Sequence, residues 1–284
     1  MFYFGNNYYY VSLFSAASVP PMSFTKGPFP AYAITDHALQ IFSVQVTEVK
    51  DDVEWPLHVY GWVATRDSVD PKRNLLFNRT RDNCQVLTQQ GYDSYLQLTG
   101  PSRAVVFIDP VTFQDGFEHN MPVYYEDKPY LIHKCCSNKR STIEVTYAAF
   151  HKTVEATVVR VQVTDGSWPD HLQGLVVCRT TSLDKGDIML LDSRDGAMPI
   201  ACDGAIGLSR RVVSVEVKGQ LSVDVVASQI DDKSDVVAKD RAVFRYTIAR
   251  TSAGRCDLGF CKVEITVAWS LLATLRDMMG SRTE

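Results

Sequence analysis

Val44-Gln45-Val46-Thr47 returns as Val161-Gln162-Val163-Thr164, and what surrounds each copy decides the fold. Trp55-Pro56 followed by Gly61-Trp62-Val63 returns as Trp168-Pro169 followed by Gly174-Leu175-Val176. Leu98 and Ser102-Arg103-Ala104-Val105-Val106 are echoed by Leu208-Ser209-Arg210-Arg211-Val212-Val213, and Ile143-Glu144-Val145-Thr146 by Val263-Glu264-Ile265-Thr266. Four blocks in one order, about 115 residues apart, make a period too long for a solenoid or propeller unit and suited to a duplicated small domain.

Within the blocks the apolar period is two. Leu57, Val59, Gly61 and Val63 alternate with their neighbours, and Thr142 to Phe150 and Thr153 to Thr164 are β-branched runs; both are strand patterns. Asp165-Gly166, Asp195-Gly196 and Asp203-Gly204 supply turn chemistry between such runs. Helical spacing occurs only in the tail, Ser270 to Met279, through Leu271, Leu272, Leu275 and Met278. The pattern predicts an all-β chain: two tandem antiparallel β-sandwich repeats related by internal duplication, with little helix. An irregular N-terminal extension covers 1–38, the first repeat 39–150, the second 151–272 and a C-terminal tail 273–284. The repeats are expected to meet at His151-Lys152 in a hairpin or short link.

The chain has 284 residues, a formal net charge of −4, 45% hydrophobic and 22% charged residues. That is ordinary globular usage, and without a basic stripe it carries no nucleic-acid signature. No run approaches the ~20 apolar residues of a membrane span, and the aromatic-rich start lacks the positive region of a signal peptide. Seven cysteines without a Cys-x-x-Cys pair read as reduced, mostly buried thiols rather than a disulfide framework or a metal site. A cytoplasmic location follows as the expectation.

No Gly-x-Ser-x-Gly elbow or phosphate-cradling glycine motif occurs, and the six histidines show no spacing that names a base or metal pair. No catalytic residue, metal or cofactor is expected. Asp51-Asp52, Asp67 with Asp70, Asp192 with Asp195, and Asp231-Asp232 with Asp235 read as turn formers, with Ca²⁺ binding as the alternative. The candidate ligand-binding residues are Arg79, Arg81 and Asp82, then Arg103, Arg210 and Arg211 at the entry to matched strands. Such an arginine either binds an anion or pairs with an internal carboxylate. Trp55, Gly61, Trp168 and Gly174 are assigned structural roles, each Trp plugging one end of its sandwich, with ligand stacking as the alternative.

The run Asn74-Leu75-Leu76-Phe77-Asn78-Arg79-Thr80-Arg81-Asp82-Asn83-Cys84, together with Leu98 to Val106, Asp165-Gly166-Ser167-Trp168-Pro169 and Leu208 to Glu216, resembles the grass-plant family catalogued as DUF 6598. The resemblance spans about Leu39 to Leu272. In some members, including proteins similar to a jasmonate-induced protein of barley, this domain follows a ribosome-inactivating N-glycosidase domain. The resemblance therefore implies plant stress or defence biology. It does not carry the glycosidase activity across, because Glu155-Ala156-Thr157-Val158 puts Val where that chemistry needs Arg. The function expected is a non-enzymatic binding or regulatory module for a protein or a glycan. The rival is an accessory of the ribosome-inactivating system acting on translation.

Overall fold

Strand after strand buries one face of a β-branched run, as the period-two pattern requires. The computed structural model describes residues 19–50, 53–70, 72–89, 94–115, 118–122, 128–193, 196–230 and 235–273. In chain order the strands are β1 (Ala33–Ile34), β2 (Asp36–Val49), β3 (Leu57–Val59), β4 (Gly61–Arg66), β5 (Asn74–Arg79), β6 (Gln85–Leu87), β7 (Val105–Val106), β8 (Thr112–Gln114), β9 (Glu118–Asn120) and β10 (Ile132–Ser137). They continue as β11 (Ser141–Gly166), β12 (Leu172–Thr180), β13 (Ile188–Asp192), β14 (Val212–Glu216), β15 (Gln220–Gln229), β16 (Val236–Arg245), β17 (Arg250–Asp257), β18 (Cys261–Ser270) and β19 (Leu272–Ala273). Arg81–Asn83 form a 3-10 turn, and Ser94 also has 3-10 conformation.

The chain divides into two units. Unit 1 holds 1–21, 36–151 and 273–284, and unit 2 holds 22–35 and 152–272. In unit 1, β10 pairs with the first half of β11, which neighbours β2, and β2 pairs with β7; a second sheet runs β5-β4-β8-β9. Ile41 and Val44 of β2 and Val63, Phe77 and Phe113 of the second sheet are all 0% exposed and share one apolar cluster. Each such buried side chain contributes about 1.5–3 kcal/mol relative to exposure. In unit 2, β17 pairs with β18, which pairs with the second half of β11, and this pairs with β14; the second sheet runs β13-β12-β15-β16.

Apart from the short β3-β6 and β1-β19 pairs, the two pairing schemes are the same, strand for strand, and the agreement reaches details. A register shift falls between Val63 and Ala64 in β4 and between Val176 and Val177 in β12. Leu96 N donates to Val44 O at 2.8 Å and Ile206 N to Val161 O at 2.8 Å. Thr47 Oγ1 donates to Thr142 O at 3.1 Å, and Thr164 Oγ1 to Lys262 O at 3.4 Å. The hairpin after β10 closes through Asn138 N to Ser141 O at 2.9 Å, and that after β17 through Leu258 N to Cys261 O at 3.0 Å.

Three expectations are corrected. His151-Lys152 is not a hairpin or link: β11 runs unbroken through it, with Lys152 alone at φ 46. The tail from Ser270 to Ala273 is not helical, because Ser270 closes β18 and Leu272–Ala273 is a strand; the rest of that candidate helix lies outside the described residues. The extension is not uniformly irregular: it contains β1, β2 begins before Leu39, and residues 22–35 count with unit 2. There Met22 N donates to Glu155 Oε1 at 2.9 Å and Phe24 N to Ser270 Oγ at 3.0 Å. No helix among the described residues is long and apolar enough to cross a membrane.

Candidate functional site

At one end of unit 2 two loops meet. One leads from β11 to β12 through Ser167-Trp168-Pro169-Asp170, and the other leads from β13 to β14 through Ala197 to Gly204. The second loop is held on β11 by the bridge between Gln162 and Ala205 and by Val163 N donating to Gly204 O at 2.9 Å. Between the loops lies a cavity of about 550 Å³, inside the range of roughly 300–1,000 Å³ typical of small-ligand sites.

Its floor is apolar. Trp168, 9% exposed, is fixed by Nε1 donating to Leu172 O at 3.0 Å and by an edge-on contact with Phe260 at 5.6 Å between centroids. Met198 lies against it over Gly174, where an added Cβ would stand 2.2 Å from the Met198 sulfur and 3.0 Å from the Trp168 ring. Gly174 is thus the residue that lets the Trp-Met floor close. The rim is polar: Ser167, Asp170, Cys202 and Asp203 are exposed. Asp203 is pre-set by Arg160 Nη2 donating to Oδ2 at 2.8 Å and Ala205 N donating to Oδ1 at 3.1 Å. Apolar floor and oriented carboxylate rim together suit a ligand with one apolar face and several hydroxyl or amide donors.

The predicted arginines do not form one site. Arg103 is 3% exposed and gives both terminal nitrogens to Asp67, at 2.7 and 2.8 Å, so the internal-carboxylate reading is the one its geometry fits. Arg210 is 1% exposed and its Nε donates to Met189 O at 2.7 Å; burial pushes its guanidinium down to about 10. Arg211 caps the carbonyls of Val158 and Val159 at 3.2 and 2.7 Å. Arg79 is half-buried and donates to Gln97, while Arg81 and Asp82 stand exposed in the 3-10 turn. Trp55 is half-buried against the core of unit 1, and Gly61 opens β4 at φ 107, a left-handed backbone that side chains disfavour.

Sequence reading missed three groupings because each depends on pairing between distant segments. One is the cavity loop from Ala197 to Gly204. Another is Asp224, whose side chain is 1% exposed beneath Arg179, Lys239 and Arg241 at 2.6, 3.2 and 2.5 Å. Burial raises this carboxyl, but hydrogen bonds from Arg241 and Lys239 and their charges outweigh it and hold it down to about 2. The third is His58, whose Nδ1 lies 3.5 Å from Cys84 Sγ. For the aspartate clusters, Asp67 is taken by Arg103, and Asp70 accepts from Lys72 N at 3.0 Å and Val19 N at 3.3 Å. Among the described residues no group of three or more His, Cys, Asp or Glu could hold a metal ion. Asp51, Asp52, Asp195, Asp231 and Asp232 lie outside the described residues.

Against known proteins, the family model described as Domain of unknown function (DUF6598) matches residues 38–267. No curated protein matches the chain. Among solved structures, the paired A and B domains of the C2 type from Extended-Synaptotagmin 2 are 6% identical, with 91% of this chain and 98% of that chain covered at a TM-score of 0.28. Human GIVD cytosolic phospholipase A2 is 11% identical, with 84% of this chain and 33% of that chain covered at a TM-score of 0.24. At such scores neither likeness carries an argument about this protein.

Proposed function

We propose that this chain, which belongs to the family of the domain of unknown function DUF6598, is a non-enzymatic binding module that takes a protein or glycan determinant into the end cavity of unit 2. The observation that carries this reading is the cavity itself: about 550 Å³, a buried Trp168 floor and an exposed rim with Asp203 held in place from two sides. Pre-set polar groups around an apolar floor lower the ordering cost of binding. The setting, on the strength of the resemblance, is plant stress or defence; the cytoplasmic location is an expectation from the reduced cysteines.

An array of plant glycans and peptides, probed with the full chain and with Ala201→Trp, tests it. Ala201 is exposed on the cavity wall, so the variant fills the site without disturbing the core. Hits that vanish in Ala201→Trp support the proposal. Hits retained equally by both proteins, or an array without hits, count against it.

A further inference from the structure

The seven cysteines fall into distinct chemical settings. Cys136, Cys178, Cys256 and Cys261 are buried. Burial pushes the thiols of Cys136 and Cys261 up to about 11 and that of Cys256 to about 12, and raises Cys178 as well, so these four are poor nucleophiles. Cys135 and Cys202 are exposed. Cys84 differs from both groups: it is half-buried, and its Sγ lies 3.5 Å from Nδ1 of the exposed His58.

The ladder explains the meeting. β3 and β6 pair antiparallel with His58 opposite Val86. Cys84 lies two residues before Val86, which places it diagonally across from His58 on the same face, a spacing at which cross-strand side chains touch. The partner strand β6 is short, and the 3-10 turn Arg81–Asn83 just before Cys84 is exposed, so a small molecule can reach the sulfur from the turn side.

A thiol in hydrogen-bond reach of an imidazole is the arrangement that activates cysteine for nucleophilic attack. We propose that Cys84 and His58 form a reactive thiol site on unit 1 that is modified by low-molecular-weight disulfides. In the step, Cys84 Sγ attacks one sulfur of the disulfide as its proton passes to His58 Nδ1. The Cys84–S–S–R bond forms while the R–S–S–R bond breaks, and the leaving sulfur takes the proton from His58 and departs as R–SH. Atoms and electrons balance without a further oxidant, and a reducing thiol reverses the mark. The site is independent of the cavity of unit 2.

The experiment uses the full chain and its own cysteines as references. With oxidised glutathione near neutral pH, peptide mass spectrometry follows mixed-disulfide formation at each cysteine over time. Cys84 is expected to react about tenfold faster than Cys135 and Cys202. His58→Gln should bring Cys84 down to the rate of those two while leaving theirs unchanged. Equal rates at the three sites in the native chain, or a Cys84 rate that survives His58→Gln, overturn the proposal. Continued protection of buried Cys178 shows that the variant is folded, and the native-chain comparison stands without any variant.

Discussion

In unit 1 the strand-entry arginine, Arg103, grips the carboxylate of Asp67, and in unit 2 the echoed Arg210 reaches the carbonyl of Met189. Arg103 meets Asp67 at 2.7 and 2.8 Å, and the same carboxylate also accepts from Val106 N at 2.9 Å. Arg210 gives its Nε to Met189 O at 2.7 Å. Counted from the matched glycines Gly61 and Gly174, the residue at the position of Asp67 is Thr180. One strand plan thus buries a guanidinium at the same strand entry in both units, 3% and 1% exposed. What both units hold in common is the hydrogen-bond ladder and the apolar face, and the polar fittings vary around them.

Removing the carboxylate of Asp67 should have the largest effect. Asp67→Ala leaves Arg103 buried with its main partner gone and should cost about 3–5 kcal/mol, read from the urea midpoint. Thr180→Ala removes no charge partner and should cost less than about 1 kcal/mol. Equal costs would mean that the pair in unit 1 does not stabilise it.

Acid unfolding probes the second difference. On the second sheet, β4 places Ala64 opposite Gln114, and β12 places Val177 opposite Asp224, so unit 1 has a neutral amide where unit 2 has a carboxylate under three cations. With a folded pKa of about 2 against the ordinary 3.8, Asp224 contributes fully above about pH 4. Its contribution is lost as the pH falls through 2 and the carboxylate is protonated, and amounts to about 2 kcal/mol. Asp224→Asn should flatten that part of the stability profile between pH 4 and 2. An unchanged profile would show that the three cations do not hold the carboxylate down.

The matched glycines separate the units more finely. Gly61→Ala meets a backbone at φ 107 and should cost about 1–2 kcal/mol, which no neighbouring truncation relieves. Gly174→Ala meets the Met198 sulfur at 2.2 Å, a flexible side chain. Its cost of about 1–2 kcal/mol should shrink when combined with Met198→Ala. A double-mutant cycle with no coupling at 174 would remove Gly174 from the cavity floor.

The all-β class was readable because alternation such as Leu57, Val59, Val63 marks a buried sheet face. The long strand through His151-Lys152 was not: two β-branched runs separated by a polar pair look like a hairpin until their partners are known. The helical spacing that ran through Leu272 gave way to sheet pairing there, since position in a sheet overrides weak local propensity. The roles of Arg103 and Arg210 turn on residues far along the chain, Asp67 and Met189. The cavity and the Cys84–His58 contact are likewise products of loop docking and cross-strand register, which one-dimensional spacing does not contain.

In the proposed function the ligand meets the Trp168 end of unit 2 and not its Trp55 counterpart in unit 1. Trp168 and Trp55 each carry an indole N–H, visible as separate signals in a nitrogen-proton correlation spectrum once Trp→Phe variants assign them. On titration with a ligand from the array, the Trp168 indole signal is expected to move with occupancy while that of Trp55 stays in place. Movement of the Trp55 signal alone, or binding that shifts neither, would contradict it.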